Sequence, residues 1–439
     1  MSAVCEPLPS LSCEPLISTT EARCKPLPPH RHPRGFYVVC LSVLCERWAA
    51  YMLISTVALM LCERYGYAQA HALRIIGVVN AASYIGTLGG GLLSDRLIGP
   101  RRGMSLGLLF LVLGYTVLSI PAVRFLFVAL GLLTCGCSLF KPSLQSVVVR
   151  LYPPNDHRID AAQVILYLCA NGGAMVGSLI AGIAVHQVGY GMTYILAALT
   201  VIMGGAFLEL SQRDLRLRTL PTMASRTFAS VPPALRQTHR LLIIAALALA
   251  MLLFTLCTAQ AEGALLFFAK ERVDRVLLGF EIPVAWFIAY PALLAILLGP
   301  TLLAVLHRLT RKVGTYRLVA LGLFAVAASF AILIPIMKLS VATKASLGWL
   351  AASLSMFVVG ELCVAPLGIS LILRLAPVRF TGLVVGVWYG AGALGYLLAG
   401  EVGALWTRWA PHRVLFLLVA LPLLGAALLW SVQPKSQPE

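Results

Sequence analysis

Apolar residues run along this chain in long, nearly unbroken stretches. They show neither the alternation of half-buried strands nor the one-sided stripe of soluble amphipathic helices. Twelve such runs occur, at 36–61, 72–93, 103–120, 123–149, 161–185, 191–210, 241–269, 282–306, 316–337, 347–373, 382–400 and 414–430. A helix needs about 20 apolar residues to cross the hydrocarbon core of a bilayer. The pattern predicts an all-α polytopic membrane protein with twelve transmembrane helices. One long polar break, 211–240, separates six runs from six. The expected organisation is a disordered cytoplasmic tail (1–35), an N-terminal six-helix bundle (36–210), a cytoplasmic linker (211–240), a C-terminal six-helix bundle (241–430) and a short tail (431–439).

Composition narrows the class. Of 439 residues, 59% are apolar and 12% charged, with a mean hydropathy of +0.89. Soluble domains are about 45–50% apolar and about 25% charged. A soluble enzyme, a nucleic-acid binder and a disordered scaffold are therefore excluded. The net charge of +17 has a topological origin: with a cytoplasmic N-terminus, 22 of the 34 Lys and Arg fall in cytoplasmic segments. The expected partner is the lipid bilayer; no nucleic acid is needed and no oligomeric partner is inferred. Both termini are placed in the cytoplasm, and without a secretory signal or organelle address the default location is a bacterial inner membrane. The eleven cysteines lack zinc-ligand spacing, so neither metal nor cofactor is expected.

Five ionisable side chains fall within the runs: Glu46, Arg47, Lys141, Glu262 and Glu361. Each costs at least ~2.5–3.5 kcal/mol at a helix centre, so such groups face a wet cavity or one another. The plain alternative is buried ion pairs that hold the bundle together. Helix neighbours point about 100° apart, so Glu46 and Arg47 are not expected to pair; each should find a partner on another helix. Three acids and two bases sum to −1, so the set is neutral when one carboxyl holds a proton. Desolvation and nearby cations shift a carboxyl in opposite senses, which gives a physical basis for coupling to protons. Gln260 and Asn171 are mid-run amides for which interhelical hydrogen bonding is an equal reading.

The two halves echo each other. The first has Gly90-Gly91-Leu92-Leu93-Ser94-Asp95-Arg96-Leu97-Ile98-Gly99-Pro100-Arg101-Arg102 after its second run, and the second has a basic turn, 306–314, at the same place. A 6+6 pseudo-repeat with a basic turn there fits a major-facilitator fold, whose halves rock about a midplane site.

Four stretches of the first half then resemble the proton-dependent oligopeptide transporters, a branch of the major facilitators. Val43-Leu44-Cys45-Glu46-Arg47-Trp48-Ala49-Ala50-Tyr51 resembles the helix 1 motif ExxERFxYY. The basic turn is similar to GGWLADRxxGRR. Phe140-Lys141-Pro142-Ser143 resembles IKPN, and Tyr167-Leu168-Cys169-Ala170-Asn171-Gly172-Gly173 resembles FYxxINxG. In the second half, Gly360-Glu361-Leu362-Cys363-Val364-Ala365-Pro366 and Thr381-Gly382-Leu383-Val384-Val385-Gly386-Val387-Trp388 are similar to helices 10 and 11.

The resemblance implies symport of di- and tripeptides or peptide-like molecules, with the proton as coupling ion and no cofactor. It implies that Arg47 and Lys141 hold the peptide carboxylate, that Glu361 with Asn171 receives the amino terminus, and that Tyr51, Tyr84, Trp286 and Trp388 line the pocket. Tyr290 stands in the site where the family has a helix 8 Asn. Glu46, Glu262, Glu361 and Lys141 are the implied proton-coupling groups, and Asp95 and Arg96 the implied gate. Val43 and Ala50 depart from the helix 1 motif, and where the family's helix 7 acid precedes a Gln, Ala259 precedes Gln260 here, with Glu262 three residues after Ala259. An i+3 step stays on one helix face, so Glu262 can substitute. Other readings are a relative that moves another small organic solute and a non-transporting membrane sensor. An enzyme is not expected: no mid-run nucleophile–base pair or metal cluster is visible.

Overall fold

The computed structural model describes residues 32–153, 156, 158–211, 237–338, 344–375 and 381–432. The expected linker and both tails therefore lie almost wholly outside the described residues. Among the described residues, nine helices are long and apolar enough to cross a membrane, and two shorter apolar ones, Trp286–Thr301 and Thr315–Ala331, lie among them.

The chain forms α1 (Arg34–Ile54), α2 (Val57–Glu63), α3 (Gln69–Leu93), α4 (Pro100–Ser119), α5 (Val123–Leu151) and α6 (Arg158–Leu210). After the linker come α7 (Gln237–Glu262), α8 (Ala264–Arg272), a hairpin of β1 (Val276–Leu277) and β2 (Phe280–Glu281), α9 (Trp286–Val313), α10 (Thr315–Ala331), α11 (Leu347–Leu375), α12 (Thr381–Leu405) and α13 (Pro411–Val432). Helix α6 is two passes that turn back at Gly189, whose φ of 75° is open mainly to glycine. The reversal is visible against α1. A Cβ on Gly173 would meet Leu44 O and Arg47 Cβ, while Gly204 on the return pass lies against Cys45 and Ser42. With α1–α2 and α7–α8 each counted as one interrupted pass and α6 as two, the described helices are consistent with the twelve crossings read from the apolar runs.

The internal repeat extends to the backbone. Gly99, between α3 and α4, has φ/ψ of 82°/145°, and Gly314, between α9 and α10, has 88°/146°. Both are left-handed corners entering the next helix. The first pass of each half is also broken: α1 stops before Ser55–Thr56, and α7 stops at Gly263 (φ −124°, ψ −78°). Thr56 N turns to Leu53 O, and Thr56 Oγ1 donates at 2.6 Å to the Met52 O that the break frees, while Ser55 Oγ adds a second bond to Tyr51 O at 2.6 Å.

Each half has its own apolar core, one containing Met52, Leu111, Phe140 and Tyr194, the other Leu247, Phe254, Phe330 and Leu418. The halves meet chiefly where α3 lies along α12 and α6 along α9. The first contact needs glycine: a Cβ on Gly77 would sit 2.8 Å from Tyr396 O, and one on Gly400 3.0 Å from Arg74 Cα. Polar links between the halves gather at the end that carries the β-hairpin. There Lys270 Nζ lies 2.5 Å from Glu63 Oε1, Arg74 Nε lies 2.9 Å from Glu401 Oε1, Gln69 Nε2 donates to Glu271 at 2.8 Å, and Trp286 Nε1 donates to Leu179 O at 3.0 Å.

Candidate functional site

The charged residues of the interior converge between the halves. Helix α1 presents Glu46 and Arg47 because α6 lets it approach closely. A Cβ on Gly177 would fall 2.2 Å from Trp48 O, and one on Gly173 2.3 Å from Leu44 O. Lys141 comes from α5, next to Pro142 inside that helix. Glycines of α3 make room for this stretch, since a Cβ on Gly90 would lie 2.0 Å from Ser138 O. Glu262 is the last residue of α7, at the break before Gly263. Glu361 lies on α11, where Gly360 packs against Gly322 of α10.

Several of these groups lie within one another's electrostatic fields. Glu262 lies in the field of Glu361, Lys141 and Arg47, and Tyr51 in that of Glu262, Arg47, Glu361 and Tyr84. Tyr167 on α6 lies in the field of Glu361. Arg47, Tyr51, Tyr84, Lys141, Asn171, Glu262, Tyr290 and Glu361 are all half-buried, as residues that line an internal space are. Lys141, Glu262 and Glu361 make no hydrogen bond or ion pair among the described residues. A bundle held together by ion pairs would have closed them on one another; instead these three side chains stay half-buried with no such pair among the described residues.

Glu46 and Arg47 correct the expectation drawn from helix geometry. Arg47 Nε donates to Glu46 Oε2 at 2.6 Å and Nη2 to Oε1 at 2.5 Å, a bidentate pair of sequence neighbours. The 100° rule describes where Cβ atoms point. A guanidinium on a three-methylene arm can curl back past it, and its planar fork matches a carboxylate. Glu46 is 2% exposed, so the pair is closed on the carboxylate side and open at Arg47, which is 19% exposed.

The remaining expected residues are distributed as follows. Asn171 Nδ2 donates to Tyr167 O at 2.9 Å on its own helix. The Tyr84 ring packs at a tilt against Tyr396 (5.0 Å between ring centres) and Tyr389 (6.3 Å), joining α3 to α12. Tyr290 Oη lies 2.9 Å from Ser355 Oγ, so this hydroxyl ties α9 to α11. Trp286 is half-buried at the hairpin end, bonded to α6 and 5.7 Å from the Phe280 ring. Trp388 is 3% exposed, and a Cβ on Gly368 would meet its ring at 2.3 Å. It therefore packs between α12 and α11 in the C-terminal core. Gln260 is consumed structurally, donating to Ala399 O at 2.8 Å and accepting from Trp406 Nε1 at 3.2 Å. Asp95 accepts from Ser146 Oγ at 2.9 Å and lies 3.4 Å from Arg150, both on α5 of its own half, while Arg96 is exposed.

Sequence reasoning passed over Tyr396 and the links Glu63–Lys270 and Arg74–Glu401. Charges at helix ends are commonplace, and nothing in the local sequence pairs residues 207 or 327 positions apart.

The Major Facilitator Superfamily profile matches residues 39–400. Among curated proteins, the chain is 25% identical over 448 residues to peptide transporter YePEPT of Yersinia enterocolitica subsp. palearctica, covering 85% of this chain and 88% of that one. It is 25% identical over 423 residues to dipeptide and tripeptide permease B of Salmonella typhimurium, covering 85% and 86%. Among solved structures it is similar to a POT family transporter in complex with 5-aminolevulinic acid, with a TM-score of 0.83 and 22% identity over 92% of this chain and 97% of that one. A peptide transporter POT in complex with alafosfalin gives 0.81 and 23%, over 91% and 95%.

Proposed function

This chain belongs to the Major Facilitator Superfamily, and we propose that it is a proton-coupled symporter that imports di- and tripeptides or peptide-like molecules by alternating access. The observation that carries this reading is the bipolar interior. The cations Arg47 and Lys141 and the carboxylate Glu361 lie within the field of Glu262, and Lys141 and both carboxylates make no ion pair among the described residues. Such a site matches a zwitterion whose charges are separated by a backbone. The curated relatives named for peptide transport point the same way.

In this reading Arg47 and Lys141 take the substrate carboxylate, and Glu361 with the Oδ1 of Asn171 takes the ammonium. Glu46 couples the proton through Arg47. While ionised it holds one guanidinium edge, Nε and Nη2; once protonated it loses the charge-assisted pair, and that edge of Arg47 becomes free to bind substrate. Proton and peptide carboxylate thus act together on one guanidinium. With both termini in the cytoplasm of a bacterial cell, the linked hairpin end faces outward, so the arrangement described is inward-facing. Asp95, held to α5, would position the basic turn that moves with the N-terminal half.

Tyr290 favours a second reading. Its hydroxyl is engaged with Ser355 and its ring narrows the amino-terminal end of the site, which suits a smaller amino-acid-like solute. Uptake of a peptide library by the reconstituted protein, with and without an imposed proton gradient, separates the two. Peptide accumulation with the gradient supports the first, and uptake of amino-acid-like compounds alone supports the second.

A further inference from the structure

A second cavity of about 420 Å³ opens at the hairpin end, between α1, α2 and α6 of one half and α8, the hairpin and the start of α9 of the other. Its volume falls in the range of about 300–1,000 Å³ usual for small-molecule sites. Among its lining side chains are Glu63, His186, Lys270, Arg275, Phe280 and Glu281. Two acids and two bases make its formal charge zero with His neutral. A net anion or cation gains little from such a wall, whereas a zwitterion finds a partner for each pole.

The wall is built on both sides. Glu63 receives Lys270 Nζ at 2.5 Å and Tyr190 Oη at 2.6 Å, so one carboxylate joins α2, α6 and α8. Opposite, Arg275 Nη1 donates to Ile282 O at 2.9 Å and pairs with Glu281, while Ile282 N donates to Arg275 O at 2.9 Å. These bonds fix the base of the hairpin. Its tip holds Leu278 at φ 52° and Gly279 at φ 82°, the turn that two-residue hairpins prefer, with a leucine in a conformation its Cβ disfavours.

We propose that this cavity is an entrance subsite for the zwitterionic substrate, and that the substrate there replaces the Glu63–Lys270 link between the halves. The ligand carboxylate takes Lys270 and its ammonium takes Glu63, so each charge keeps a partner while the protein's own link opens. Phe280 supplies an apolar surface for the side chain. The Glu63–Lys270 pair is 42% and 44% exposed, so water already competes for it and a ligand can displace it. This inference rests on the peptide reading above.

Equilibrium dialysis of radiolabelled dialanine against the full-length protein in detergent tests it. The wild type should bind two molecules per chain. Lys141→Ala combined with Glu361→Gln removes a cation from one pole of the central site and the charge of the other, and at a dialanine concentration that no longer fills the weakened central site should leave one. Adding Lys270→Met or Glu63→Gln to that variant should weaken the remaining site at least tenfold. Lys270→Arg should preserve it, and size-exclusion elution should match the wild type throughout. One molecule bound to the wild type and none to the central-site variant overturns the entrance subsite and leaves the peptide reading intact. A residual site indifferent to both Lys270→Met and Glu63→Gln also overturns it. No dialanine bound by the wild type overturns the peptide reading, and the subsite with it.

Discussion

Arg47 grips the carboxylate of its own neighbour, Glu46, through both Nε and Nη2 at 2.6 and 2.5 Å. In most helices adjacent residues diverge; here the pair closes a buried carboxylate and leaves the guanidinium at the edge of the central space. The cation that would bind a substrate carboxylate is therefore already occupied by an internal anion. In the proposed mechanism a proton on Glu46 would release that edge, so coupling and binding would share one hydrogen-bonded pair.

Glu46→Gln removes that competition. Arg47 should remain available whatever the pH, so peptide exchange across the membrane should persist while uphill accumulation is lost. Counterflow and gradient-driven uptake, measured side by side in proteoliposomes, separate the two activities. Full accumulation by Glu46→Gln would show that the proton is carried elsewhere.

Lys141 is half-buried and makes no hydrogen bond or ion pair among the described residues. Lys141→Ala should weaken dipeptide binding by at least about tenfold, or ~1.4 kcal/mol, and should matter little for a peptide amide that lacks the carboxylate. Competition binding with a dipeptide and its amide gives the comparison; equal losses for both would remove Lys141 from the carboxylate end.

Glu361→Gln keeps shape and removes charge. Hydrogen bonds to charged groups are worth about 1.5–3 kcal/mol, so affinity for peptides with a free amino terminus should fall roughly ten- to a hundredfold. N-acetylated peptides, already weak, should change little. A uniform loss across both sets would argue for a structural role.

The close approach of α1 to α6 should be intolerant of even one methyl. Gly177→Ala places a Cβ 2.2 Å from Trp48 O, and overpacking of this kind costs about 1–3 kcal/mol. A lower Tm in detergent is expected. Gly172→Ala, where nothing lies within 4 Å, is the control and should leave Tm unchanged or raise it, because alanine suits a helix interior better. A Tm drop in the control equal to that of Gly177→Ala would contradict the packing account.

The legibility of this molecule follows physical lines. Hydropathy gave away the crossings, because a bilayer penalises every polar interruption. The same penalty exposed Glu46, Arg47, Lys141, Glu262 and Glu361. What escaped depends on side-chain reach and distant pairing. The Glu46–Arg47 fork requires a curled arm that Cβ directions do not predict. The breaks at Ser55–Thr56 and Gly263 lie within apolar runs, where hydropathy has no signal. Trp388 carries a pocket-like motif, yet its ring is taken up by Gly368, a contact that only the packing of α11 on α12 creates.

The most direct test is dialanine uptake into proteoliposomes containing the purified protein, with the outer medium acidic relative to the lumen. The account predicts accumulation above the external concentration, collapsed by a proton ionophore and absent without the gradient. Equilibration to the same level with and without the gradient, or no entry of dialanine at all, would contradict it.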